Sequence, residues 1–178
     1  LFGFLLFCLI SFFYIVFSSL RGNITLNLLV YSLGKLAGLI GFSFLSLLII
    51  SGDTARFFDR FFGINRIILF QRKFALVIAL FVLFHPLFFI LSNKSILNYL
   101  IPNFTIIPLA LGAISLYILI IVMTASLLYK RISYKAWQYI HILTYTLFFF
   151  SLYHAVNWGS DYNLLSIRII YLILLISI

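Results

Sequence analysis

GINRIILFQRKFALVIALFVLFHP, residues Gly63–Pro86, decides the fold. From Ile67 onward it is an apolar run, continuing to Leu91, interrupted only by Gln71, Arg72 and Lys73 near its start and by His85–Pro86 near its end. A helix needs about 20 mostly apolar residues to cross a bilayer. In lipid every backbone polar group must be paired within the segment or within a closed barrel, and only a helix needs a run this long. Ile67–Leu91 therefore reads as a transmembrane helix.

Working outward, the same reading applies to five further segments. The apolar runs are Leu1–Leu20, Leu33–Ile50, Ile67–Leu91, Ile106–Tyr129, Ala136–Trp158 and Leu164–Ile178, and the second has room to begin as early as Leu26. The chain is 65% hydrophobic and 8% charged, with a mean hydropathy of +1.25. The expectation is an all-α polytopic membrane protein, a six-helix transmembrane bundle forming one domain over residues 1–178. The chain starts on Leu1, its one methionine is Met123, and the last apolar run reaches Ile178, so a longer parent chain is expected. Pro86 should disturb the outer part of its helix, because proline removes one backbone donor.

Charge sets the orientation. Eight of the 12 basic residues (Arg56, Arg60, Arg66, Arg72, Lys73, Lys130, Arg131 and Lys135) fall around the loops after runs two and four. Arg21, Lys35, Lys94 and Arg168 fall on the other side. Basic loops stay cytoplasmic, so both termini are expected in the cytoplasm and the protein in the plasma or inner membrane. The net charge of +9 is scattered between apolar runs, which fits lipid headgroups rather than nucleic acid. Between Asp53 and Phe62, four phenylalanines recur at helical spacing opposite Arg56, Asp59 and Arg60. That pattern reads as an interfacial helix or as a loop packed on the bundle. Three Asn-x-Ser/Thr matches, at Asn23, Asn93 and Asn103, lie on the expected outer side. Cys8 is alone, which excludes an intrachain disulfide and a cysteine-held cluster. No glycine-rich nucleotide motif follows a strand, so no FAD or NAD site is expected here.

The chemistry rests on His85, His141 and His154. Ionisable groups inside membrane spans are functional hypotheses by default, and imidazole is a common axial ligand of haem iron. Runs three and five cross in the same direction, so His85 and His154 share the outer half. Gln71 and His141 share the inner half. Fourteen residues from Gln71 to His85 rise about 21 Å and return to within about 40° of one face. Thirteen residues from His141 to His154 rise about 20 Å but end about 140° apart. Run five must bend or overwind if both its histidines are to face one partner. Other readings are a helix–helix hydrogen-bonding role for each histidine, a haem-free channel or transporter with His141 and His154 as a proton path, and a degenerate structural subunit. Arg72 is placed to grip a carboxylate such as a haem propionate, or to sit at the interface with no such partner.

Gly63–Pro86, KAWQYIHILTYTLFFFSLYHAVNWG (Lys135–Gly159) and GKLAGLIGFSFLSLLIISGDTARFF (Gly34–Phe58) resemble the third, fifth and second spans of the ferric reductase and NADPH oxidase transmembrane superfamily. In that family four histidines hold two stacked b-type haems. The resemblance gives His85, His141 and His154 three of those positions. Gln71 stands where the fourth histidine is usual, and Ala75 where a nearby glycine is common. The flavin-lacking branch, which includes the haem membrane subunit of the periplasmic methionine sulfoxide reductase system, is similar in this respect. The resemblance implies a membrane oxidoreductase component with one b-type haem between runs three and five, a second haem at the inner level being open. Electrons would pass from the cytoplasmic side to an outer-side acceptor. Their donor would be a flavoprotein partner, a downstream flavin domain or a quinol.

Overall fold

The computed structural model describes residues 2–20, 25–93, 99–128 and 130–178, and every regular element among them is helical. The elements are α1 (Phe2–Ser19), α2 (Leu26–Asp53), α3 (Ala55–Phe62), α4 (Ile64–Asn93), α5 (Ile107–Leu127), α6 (Tyr134–Trp158), a 3₁₀ turn at Ser160–Asn163, and α7 (Leu165–Ser177). Four of them, α2, α4, α5 and α6, are long and apolar enough to cross a membrane. The apolar stretches in α1 and α7, Leu6–Ser18 and Leu165–Ser177, are shorter. Arg21 and Lys94, with all or part of the Asn23 and Asn93 motifs, lie outside the described residues.

The boundaries follow from local chemistry. Thr25 caps α2 by accepting from the Leu28 amide at 3.2 Å, which makes Leu26 and not Leu33 the start of the second run. Ser133 caps α6 in the same way through the Ala136 amide. Gly63 separates α3 from α4 with φ of +77°, a backbone state that side chains resist. Pro86 lies inside α4, which continues to Asn93. The phenylalanine-rich stretch is a helix, and Phe57, Phe58, Phe61 and Phe62 are all exposed rather than packed on the bundle.

The bundle is built from two antiparallel pairs. α2 packs along α4, and α5 packs along α6. The two pairs meet lightly, and α1 and α7 close against α2, which is the hub. Small residues make the first pair close. A Cβ on Gly34 would stand 3.2 Å from Phe88 Cβ, and one on Gly41 3.0 Å from Val82 Cγ2. Lipid gives apolar side chains no reason to leave it, so such close packing is what holds membrane helices together. The shared core is Phe42 of α2, stacked on Phe148 of α6 at 5.5 Å and edge-on to Tyr171 of α7 at 5.2 Å.

Candidate functional site

Between the two pairs, at the end where α2 and α5 begin and α4 and α6 finish, lies a cavity of about 230 Å³. One water needs only about 10–15 Å³ of such space, so this is room for a large group. His85 enters from α4 and His154 from α6. Leu45, Leu119 and Leu147 line its deep end.

Both histidines are tied down in the same manner. His85 Nδ1 lies 2.8 Å from the Gly34 carbonyl of α2, and His154 Nδ1 lies 2.9 Å from the Pro108 carbonyl of α5. A carbonyl only accepts, so in each ring Nδ1 carries the proton and donates. Each Nε2 then keeps its lone pair, which is how protein-held imidazoles are prepared for a metal. The ring centroids are 6.3 Å apart, with planes at 80°. A metal between two imidazoles needs two bonds of about 2 Å and half of each ring, about 6 Å in all. The observed centroid separation matches that span. Among the described residues no group of three or more His, Cys, Asp or Glu stands together. A haem iron asks only for axial ligands from the protein.

The cavity mouth is charged and aromatic. Lys35 Nζ of α2 meets Asp161 Oδ1 of the 3₁₀ turn at 2.6 Å, with both side chains largely buried, and lies 5.9 Å from the Tyr31 ring. Arg168 Nε donates to the Tyr162 carbonyl at 2.9 Å, and its guanidinium sits 5.3 Å from the Tyr162 ring. The Lys35–Asp161 pair ties the turn between α6 and α7 to α2, and the Arg168 contacts tie it to α7.

The other end of α4 and α6 is different. Gln71 donates to Ser51 Oγ of α2 at 3.3 Å and does not line the cavity. His141 is exposed, stacked on Trp137 at 4.8 Å in a shallow groove with Lys135 and Gln138. Arg72 is exposed and also away from the cavity. So the structure brings His85 and His154 together and does not bring Gln71 and His141 together. α6 is a continuous α-helix from Tyr134 to Trp158. The Gly34 and Pro108 carbonyls, Lys35 and Asp161 were not singled out from the sequence. Backbone acceptors leave no residue-type signal, but Gly34-x3-Gly38 was readable as a close-packing motif.

These features define an integral membrane protein with a paired-histidine cavity between its helices. Residues 37–152 match the family described as "Ferric reductase like transmembrane component", and the chain belongs to that family. The match runs from α2 into α6 and stops just before His154. No curated protein matches the chain. No solved structure matches it either.

Proposed function

We propose that this chain carries electrons across a membrane, using a b-type haem held between His85 and His154. The observation that supports it is the pair of imidazoles, each donating Nδ1–H to a helix carbonyl and separated by 6.3 Å. Haem so held supplies one-electron redox chemistry between ferric and ferrous iron. The protein supplies the rest. His85 and His154 would hold the group through their Nε2 atoms, with each ring's orientation fixed by its bond from Nδ1. Leu45, Leu119 and Leu147 keep water from the deep face, and a dry, low-dielectric wall tunes the potential of a bound metal.

In this reading six helices cross the bilayer, with α1 and α7 completing the four longer ones. The end bearing Arg60, Arg66, Lys130 and Arg131 is cytoplasmic, and the cavity opens toward the outer side. Electrons enter from a flavoprotein, a flavin domain of the parent chain or a quinol, and leave to an acceptor at the mouth. The exposed phenylalanines of α3 rest in the inner leaflet, where an amphipathic helix with basic residues is stable. One haem is the stoichiometry that this arrangement supports, because Gln71 and His141 face different neighbours. A proton path joining His141 to His154 gains nothing from the geometry, since His141 does not reach the cavity.

The test is the purified protein's reduced-minus-oxidised absorbance with a haem count. A b-type low-spin spectrum at one haem per chain is expected. A haem-free preparation that stays haem-free after reconstitution would overturn the proposal. Direction is checked by labelling Arg131→Cys in intact cells, which should be protected from an impermeant thiol reagent.

A further inference from the structure

Each histidine sits over a glycine of the neighbouring helix, and the two arrangements repeat one another. The His85 ring lies so close to Gly38 that a Cβ there would stand 2.5 Å from Nδ1 and 2.7 Å from Cε1. The His154 ring lies the same way over Gly112, where a Cβ would stand 2.6 Å from Nδ1 and 2.9 Å from Cε1. Real side chains essentially never approach so closely. In both cases the glycine falls four residues after the carbonyl that accepts from the ring, Gly38 after Gly34 and Gly112 after Pro108. Helical geometry explains that offset. The carbonyl of residue i points along the axis to the amide of residue i+4. A ring that shares that carbonyl must lie against residue i+4, where any Cβ blocks it. Only glycine leaves a notch deep enough for Nδ1–H to reach an acceptor that already serves the helix.

We infer that Gly38 and Gly112 are positioning residues, each forming a notch that lets a histidine share a helix carbonyl and so fixes the plane of its imidazole. The inference rests on the proposal that His85 and His154 ligate one haem. Two independent notches on two different helices set the rings at 80° to each other. Neither ring rotates freely about the axis of its metal bond, because rotation breaks the bond from Nδ1. Replacing either glycine by alanine pushes the ring outward by the width of a methyl group and forfeits that hydrogen bond. Loss of such an outer-shell partner typically costs about 10–100-fold in metal affinity.

The experiment compares Gly38→Ala and Gly112→Ala with Gly41→Ala in haem-loaded protein. Gly41 is a fair control, because a Cβ there also meets the facing helix tightly, at 3.0 Å from Val82 Cγ2, but touches no histidine. Gly38→Ala and Gly112→Ala should each shift the haem potential and weaken haem retention by about tenfold or more. Gly41→Ala should leave both as in the wild type. The inference is overturned if the three variants behave alike, or if the first two keep the wild-type potential and retention. If a variant does not accumulate in membranes, electron paramagnetic resonance of the oxidised wild type decides. Crossed axial planes give a highly anisotropic low-spin signal, and parallel planes give an ordinary rhombic one. A rhombic signal overturns the inference. Absence of haem from the wild type itself overturns instead the proposal that the two histidines hold it.

Discussion

The two ends of α4 and α6 start from similar materials and finish differently. Each end has a histidine on α6 and a hydrogen-bonding residue on α4, Gln71 with His141 at one end and His85 with His154 at the other. At the cavity end both rings lean on a backbone carbonyl of the partner helix and face one another. At the other end Gln71 turns to Ser51 and His141 stacks on Trp137 at the surface. Helix period accounts for much of this. Fourteen residues bring Gln71 and His85 to nearly one face, and both indeed point to α2. Thirteen residues turn His141 well away from His154, and α6 stays regular, so His141 is left outside. Having the right residue at the right depth is therefore not enough. What distinguishes the cavity end is a neighbouring helix that offers both an acceptor and a gap.

The sharpest way to break this comparison is to remove the rings. His85→Ala or His154→Ala should abolish the low-spin spectrum, with loss of most bound haem, because one imidazole remains for an iron placed to take two. His141→Ala should retain the wild-type spectrum and haem content. Equal losses in all three variants would mean that the two ends are not distinct. Absorbance of membranes at matched protein content measures it.

A smaller effect is expected at the rim, which also sets the two ends apart. The mouth of the cavity is rimmed by the Lys35–Asp161 pair, with side-chain exposures of 11% and 16%. Lys35→Met leaves Asp161 charged in a poorly hydrated place. Breaking a buried pair costs about 3–5 kcal/mol, and residual solvent access here lowers that to about 1–3 kcal/mol. The solubilised variant should melt several degrees lower. Adding Asp161→Asn should recover most of the loss, since no lone charge then remains. No recovery in the double variant would mean that Lys35 acts by packing its stem and not by pairing.

How much of this was legible beforehand depends on the kind of interaction. Apolar runs fixed the helices closely, since a span must satisfy its own backbone whatever surrounds it. Only the start of α2 moved outward by a full turn or more, from Leu33 to Leu26, where the Thr25 cap rather than hydropathy sets the limit. The juxtaposition of His85 and His154 was readable from shared depth on two parallel helices. Gln71 and His141 had the same warrant, and the poor angular match on α6 was the warning that mattered. Lys35 with Asp161 joins residues far apart in sequence across different elements, and nothing local announces such a contact. The Gly34 and Pro108 carbonyls are backbone groups, invisible to any reading of side-chain types.

The smallest expected effect is the most informative about the inner end. Gln71→His supplies the residue type that the resemblance implies at this position. If ligand identity alone governed the site, the variant would gain a second low-spin haem. The geometry argues otherwise. The side chain at 71 is directed at Ser51 on α2, and His141 stands exposed beside Trp137. An imidazole at 71 would inherit a hydroxyl partner and no opposing ring. Bringing His141 round would require α6 to bend or overwind between its two histidines. The expected outcome is an unchanged haem count and an unchanged spectrum, read by titrating haem into purified wild type and variant. A second low-spin haem in Gln71→His would show that α6 rearranges on binding, and the contrast between the two ends would then lie in ligand identity rather than in helix geometry.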